Sequence, residues 1–430
     1  MKVLPCLFSF AVLSVVCPLA SRAMEPAPQD INSALGAELF ADDSLWDDDA
    51  SVAAGRLKWP QESATKDQAS FRLYPSVDAK FAGAHPYSLA LYAAGGKPDR
   101  VSIVFANKGD FGNYFRIASG LAVARGSERS ALQRQAKEVL QDFPKALDAD
   151  AKAVADALTR IVGPSEAARL SLDGVSNDKV SRWNWKGHAF LLAERSGGFV
   201  GLQIVPAASL DEKIGIVRQR DADLKTKLRS QLQQRINGDV VIGELPMVNQ
   251  GPKGFCVPAT MERCFRYLGI PADMYVLALK AQTGMGGGTG AEDIFAAASG
   301  LARAYGRRFE KIPANLRINS IAKSIDDGLP ILWGMNARDD LERDITDRSV
   351  QRQTMTDPIA WKKLLKNVKR PKPHRGDELS SGHMCLIIGY NKTTDEIAIS
   401  DSWGPEFAER WMTEDELAAM NEGYAAVIGF

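Results

Sequence analysis

A glutamine stands six residues before a cysteine in Gln250-Gly251-Pro252-Lys253-Gly254-Phe255-Cys256, and much later His383 precedes Asp401-Ser402-Trp403-Gly404. These residue types supply the groups that an acyl-transfer centre needs. A thiolate at Cys256 would attack a carbonyl carbon, an imidazole at His383 would carry the proton, and a carboxylate at Asp401 would hold that imidazole in the required tautomer. The Gln250 side-chain amide and the Cys256 backbone N–H could both donate to the oxyanion formed on attack.

Such chemistry works only if local structure delivers the groups. Val257 to Leu268 is expected to be a helix, with Pro258 in its first turn and Gly269 at its end. Cys256 then lies at the helix N-terminus, where the partial positive charge favours thiolate over thiol. Met384 to Tyr390 is expected to be a strand, Asn391 to Asp395 a turn, and Glu396 to Asp401 the returning strand. A hairpin of that length brings Asp401 back beside His383.

In order and spacing these residues resemble the papain-like cysteine peptidases, in which a Gln, five intervening residues, a Cys, a later His on a strand and a polar-Ser-Trp-Gly segment recur. Leu245-Pro246-Met247-Val248-Asn249-Gln250, Arg266-Tyr267-Leu268-Gly269 and Gly382-His383 are similar to the bacteriocin-leader-processing branch and its exported relatives. Asp401 stands where papain has Asn and this branch has Asp. Val257 departs from the Gly usual in the branch, and a long charged insertion precedes His383. The resemblance covers about residues 239 to 430. It implies a papain-like α+β domain, a Cys256–His383–Asp401 triad with Gln250 as oxyanion donor, and a peptide or protein substrate.

The chain has 430 residues, 45% apolar and 25% charged, which is the composition of ordinary globular protein and enough for two or three domains. Lys plus Arg equals Asp plus Glu at 53 each, so no global field draws it to nucleic acid or an anionic membrane. Lys2, the apolar run Val3 to Ala20 and Ser21-Arg22-Ala23 read as a signal peptide over residues 1–23, with a periplasmic or extracellular destination. The run is short for a stable membrane span. Val16 before Cys17 argues against lipid attachment, because such sites resemble one another in carrying a small residue there. Loss of the leader leaves Cys256, Cys264 and Cys385, an odd number. Cys264 and Cys385 are then either a disulfide or two buried thiols, the second being the expectation. No Cys or His cluster has metal-ligand spacing, His85, His188 and His374 are isolated, and the expected chemistry needs no cofactor.

Residues 24–237 are expected to form a separate α+β region of unknown role, a propeptide or a targeting domain, with the catalytic domain at 238–430. Glu25 to about Asp78 reads as a weakly structured lead-in. Arg100 to Ala106 is strand-like, Arg129 to Val162 reads as two helices broken near Phe143-Pro144, and His188 to Pro206 as a hairpin turning at Ser196-Gly197-Gly198. Trp183, Trp185 and Phe190 are expected inside. Leu210 to Ile236 reads as one long polar helix closed by Asn237-Gly238.

Within the catalytic domain, Gly284-Met285-Gly286-Gly287-Gly288-Thr289-Gly290 lacks the Lys and preceding strand of a phosphate loop. It is either a substrate-lining loop, with Gly286, Gly287 and Gly288 against the peptide, or a flexible connection capped by Thr289. Trp403 is the other candidate for the substrate side, and is also placed to shield the His383–Asp401 contact. Ala337 to Ser380 is either a solvated helical face, including a basic helix over Trp361 to Arg370, or a lid. Thr413-Glu414-Asp415-Glu416 is a capping box, and Tyr424 to Phe430 a closing strand. The expected function is an exported cysteine peptidase. An acyltransferase or amidase shares the same acyl-enzyme, and an inactive binding protein would keep the fold without the chemistry. The sequence leaves the oligomeric state open.

Overall fold

The computed structural model describes residues 25–170, 177–211, 216, 218–368, 371 and 381–430. The residues read as a signal peptide lie outside this set, as do His374 and most of the stretch just before His383.

The N-terminal half begins with α1 (Pro28–Leu35) and α2 (Ala50–Leu57), followed by β1 (Gln61–Ala64), β2 (Gln68–Leu73), β3 (Ser88–Ala94) and β4 (Lys97–Asn107). The expected lead-in is therefore structured. Its signals are local: Pro28 opens α1, and Asp49 caps α2 by accepting from the Ser51 and Val52 N–H groups. Then come α3 (Tyr114–Val123), α4 (Gly126–Val162), β5 (Glu166–Leu170), β6 (Asp178–Trp185), β7 (His188–Arg195) and β8 (Phe199–Pro206). The strands form one antiparallel sheet in the order β1-β2-β3-β4-β8-β7-β6-β5.

The helix α4 is continuous through Pro144, where the sequence suggested a break. Pro144 lies on the exposed face, so the Leu140 carbonyl that loses its N–H partner faces water, while Phe143, Leu147, Val154 and Leu158 bury the opposite side against the sheet. Trp183, Trp185 and Phe190 are buried in the same core. His188 is part of it: Nε2 accepts from the Leu45 N–H, which leaves Nδ1–H to donate to the Trp185 carbonyl.

The connection between the halves differs from the single helix expected over Leu210 to Ile236. It contains α5 (Ala208–Asp211), α6 (Asp221–Ser230) and then β9 (Leu232–Gln234), antiparallel to β10 (Val240–Ile242). The apolar positions Leu224 and Leu228 do face inward, in the core of the C-terminal half, but the helix that carries them is confined to Asp221–Ser230, and residues 212–215 and 217 of the expected helix lie outside the described residues. Gly238, at φ +88°, lies in the turn between two strands of one sheet.

The C-terminal half continues with α7 (Cys256–Tyr267), α8 (Met274–Lys280), α9 (Ala291–Ala304), β11 (Arg308–Lys311), α10 (Ile318–Asp326), β12 (Ile331–Ala337), α11 (Asp339–Arg352) and α12 (Pro358–Leu365). It ends with β13 (Ser381–Asn391), β14 (Glu396–Ser400), β15 (Arg410–Thr413), α13 (Glu414–Met420) and β16 (Asn421–Gly429). The strand order is β11-β16-β12-β13-β10-β9, with β14 also on β13 and β15 on β14, all antiparallel. Thr413 and Glu416 form the capping box of α13. Helix and antiparallel sheet are mixed throughout, and among the described residues no helix is long and apolar enough to cross a membrane.

Of the charged insertion, α11 and α12 are described. The helix α11 buries Leu341, Ile345, Ser349 and Arg352 against the sheet while Asp339, Asp340, Arg343, Asp344 and Asp347 are exposed, so it buttresses the hairpin on one side and presents the expected solvated charged face on the other. The basic helix expected over Trp361 to Arg370 runs Pro358–Leu365, capped by Asp357.

Candidate active site

Cys256 is the first residue of α7, so its backbone N–H has no intrahelical acceptor. Its side chain is 9% exposed. The helix is pinned to the hairpin from beneath: Thr260 Oγ1 donates to the Met384 carbonyl, and Arg263 donates to the Ser400 carbonyl and hydroxyl. This fixes the N-terminus of α7 against the start of β13, where His383 is paired opposite Met335 of β12.

His383 Nε2 lies 2.9 Å from Asp401 Oδ1. The other ring nitrogen, Nδ1, is left for the Cys256 thiol, with which the imidazole is hydrogen-bonded. Trp403 stacks on the imidazole at 4.4 Å between ring centres and covers that face. Burial alone would raise the Cys256 thiol, but the His383 hydrogen bond and charge, with the Met384 and Val257 backbone groups, bring it below its usual range. Burial likewise opposes charge on His383, yet Asp401 and Cys256 raise it to about 10. The favoured state of the pair is thiolate and imidazolium.

Asp401 is fully buried, and burial pushes against its charge. Arg410, followed by His383, outweighs this and keeps the carboxylate below its usual range. Arg410 donates to Asp401 Oδ2 from Nε at 3.0 Å and Nη2 at 2.6 Å. Its Nη1 reaches Glu342 Oε2 at 2.5 Å and Thr346 Oγ1 at 3.1 Å on α11. Neither Arg410 nor Glu342 was found from the sequence. Nothing local marks a charged residue on a strand as the partner of an aspartate nine positions earlier, although the Asp401 carboxylate had to be paired once buried.

Gln250 is held by its backbone, the N–H donating to the Ser402 carbonyl at 2.8 Å. Its Nε2 donates to the Lys253 carbonyl at 2.9 Å, and its Oε1 is buried with no partner among the described residues. One amide hydrogen is thus engaged within the loop.

A groove of about 430 Å³ runs over Cys256 and His383. Gly288, Thr289, Gly290 and Ala291 form one wall, with Gly382, Glu422 and Tyr424 on the other side and Phe115 of α3 also present. Of the three glycines expected against substrate, Gly288 is there, while Gly286 and Gly287 are spent on backbone packing. Gly254 N–H donates to the Gly286 carbonyl and Gly288 N–H to the Gly254 carbonyl. Gly287 has φ +108°, and a Cβ there would collide with the Gly254 backbone. The cap of α9 is Gly290, not Thr289, whose hydroxyl bonds Thr283. Trp403 sits behind His383 and does not line the groove.

Cys264 and Cys385 are free, buried thiols. Burial raises Cys264 to about 12 and lifts Cys385 well above the usual thiol range. Stoichiometric iodoacetamide should therefore label Cys256 alone in the folded protein, as read by peptide mapping; label mainly on Cys264 or Cys385 would contradict this assignment.

Residues 242–427 match the model of the Peptidase_C39 like family, so this part of the chain is similar to a family grouped with the papain-like cysteine peptidases. The match spans α7 and the whole hairpin that carries His383 and Asp401. No curated protein matches the chain.

Proposed function

We propose that the protein is an exported cysteine peptidase with Cys256 as nucleophile, His383 as acid and base, Asp401 as orienting carboxylate and Gln250 as oxyanion donor. The observation that carries this reading is the hydrogen-bonded line from a helix-N-terminal thiol through a buried imidazole to a buried, arginine-braced carboxylate. The Cys256 thiolate adds to a peptide carbonyl, and the oxyanion is held by the Cys256 N–H and the second Gln250 amide hydrogen. His383 gives its proton to the amine as the C–N bond breaks, leaving a thioester. Neutral His383 then takes a proton from water, whose oxygen displaces the sulfur, and the thiolate–imidazolium pair is restored. Export rests on the leader-like residues 1–23, and release of the leader would leave the triad intact.

Cys256→Ala should abolish cleavage of peptide substrates by the full chain. Retained cleavage would refute the reading. Product analysis with an added primary amine separates hydrolysis from acyl transfer, since only transfer yields the new amide.

The charge state also fixes the pH profile. Activity needs Cys256 as thiolate, which is lost as pH falls through the lowered thiol value, and His383 protonated, which is lost as pH rises through about 10. The plot of kcat/KM against pH should be bell-shaped, with its alkaline limb near pH 10 and its acid limb below the usual thiol range. Activity rising only as pH passes about 9, the ordinary value of a free thiol, would mean that no ion pair forms.

A further inference from the structure

The segment that carries Gln250 is held largely by the N-terminal half. Ser63 Oγ accepts from the Met247 N–H at 2.9 Å, Glu62 Oε1 accepts from the Asn249 N–H at 2.7 Å, and the Tyr74 hydroxyl donates to the Asn249 carbonyl at 2.5 Å. These are built contacts. Glu62 is buried and fixed by Arg72 at 2.6 Å and Ser70 at 2.9 Å, and Arg72 is tied in turn to Ser88 and Tyr92.

The far end of the loop is held in the same way. The Lys253 ammonium is buried 3.1 Å from Asp110 and lies over the Tyr74 ring at 4.5 Å. The Lys253 carbonyl is the acceptor that orients the Gln250 amide. The Gly286 N–H donates to the Lys108 carbonyl, and a Cβ on Gly286 would come within 2.7 Å of the Phe115 backbone, so α3 rests on the glycine loop. From there Phe115, 44% exposed, lines the groove over Cys256.

We propose, on the peptidase reading above, that the N-terminal half is a permanent wall of the catalytic centre and not a removable propeptide. Tyr74 and Glu62 are positioning residues for Gln250, and Phe115 contacts an apolar side chain of the substrate. A plug would end at the groove and leave the centre whole when removed. Here the donors and acceptors that shape the Gln250 loop belong to β1, β2 and the residue after β2, so removal would leave the loop's backbone groups unpaired.

The experiment compares Tyr74→Phe, Gln250→Ala and the double variant in the full chain, with Phe115→Ala alongside. Tyr74→Phe keeps the ring beneath Lys253 and removes only the hydroxyl. Gln250→Ala is expected to lower kcat by about 10²–10³-fold, as loss of an oxyanion donor does. Tyr74→Phe should lower kcat about fivefold, the worth of one hydrogen bond. The double variant should match Gln250→Ala, because a positioning residue has nothing left to position. Cys256 alkylation by iodoacetamide, which develops no oxyanion, should stay within about twofold of wild type in all three. Phe115→Ala should raise KM about tenfold for peptides with an apolar residue near the scissile bond and leave fully polar peptides unchanged.

Additive losses in the double variant, or alkylation falling in parallel with kcat, would make Tyr74 merely structural and overturn the positioning role. An equal KM change for apolar and polar peptides would overturn the Phe115 contact. Full turnover in Gln250→Ala would instead overturn the oxyanion assignment, and the positioning role with it.

Discussion

His383→Ala is expected to lower kcat/KM toward a peptide on the order of 10⁴-fold, the scale seen when a triad loses its proton carrier or its correct tautomer. The imidazole is the only group bonded to both the Cys256 thiol and the Asp401 carboxylate among the described residues, so its loss removes the thiolate's counter-charge and the proton donor together. Asp401→Ala should cost less, since it leaves the imidazole present but free to turn, and Trp403 still covers one of its faces. Alkylation of Cys256 should slow in both variants and more in His383→Ala. Steady-state kinetics, alkylation rates and circular dichroism on the same samples decide the matter. Unchanged rates in both variants, with the fold intact, would show that the hairpin does not serve Cys256.

Arg352→Met is expected to destabilise the protein by about 3–5 kcal/mol, the cost of stranding buried charge. Arg352 on α11 donates to both oxygens of Asp239 at 2.7 and 2.9 Å and to Glu396 Oε2 at 2.8 Å, and all three side chains are buried. Its guanidinium also lies 3.5 Å from the centre of the Trp411 ring. Global stabilities are about 5–15 kcal/mol, so this is a large share. Burial opposes the Asp239 charge and Arg352 leads the groups that depress it, so the wild-type advantage exists above the unfolded carboxylate range and shrinks as pH falls. Urea denaturation of both proteins at pH 7 and about pH 3 should show a wide gap in midpoint at pH 7 and a narrower one at the lower pH, below the unfolded carboxylate value. A loss under about 1 kcal/mol at pH 7 would place Arg352 among exposed pairs that contribute little.

The hairpin, the α7 helix and the α13 cap were legible because their signals are local: a turn of five residues between two apolar strands, Pro258 and Gly269 bracketing a helix, Thr413 with Glu416. The differences from expectation have separate physical causes. Strand β1 buries Glu62 and Ser63, so its hydropathy resembles that of a loop, and the lead-in was underestimated. Over 210–236 the apolar spacing around Leu224 and Leu228 carried the reading too far in both directions. In the site, His383 lies 2.9 Å from Asp401 and shares a groove with Cys256, residues that the sequence singles out, whereas Arg410, Glu342, Tyr74 and Phe115 depend on contacts between distant segments that no spacing rule records. The glycine run divided: Gly288 faces the groove, and its two neighbours serve packing.

Strand β16 occupies the slot between β11 and β12, and β10 finds its partner in β13, with Val240 opposite Tyr390. A ribosome delivers the chain from its N-terminal end. Cys256 therefore emerges long before His383, Asp401 or the strand that completes the middle of the sheet. An unfinished chain carries a sulfur with no proton carrier beside it and no finished sheet beneath it. On the proposed peptidase reading, a growing chain therefore cannot cut itself before the hairpin with His383 and Asp401 has been made.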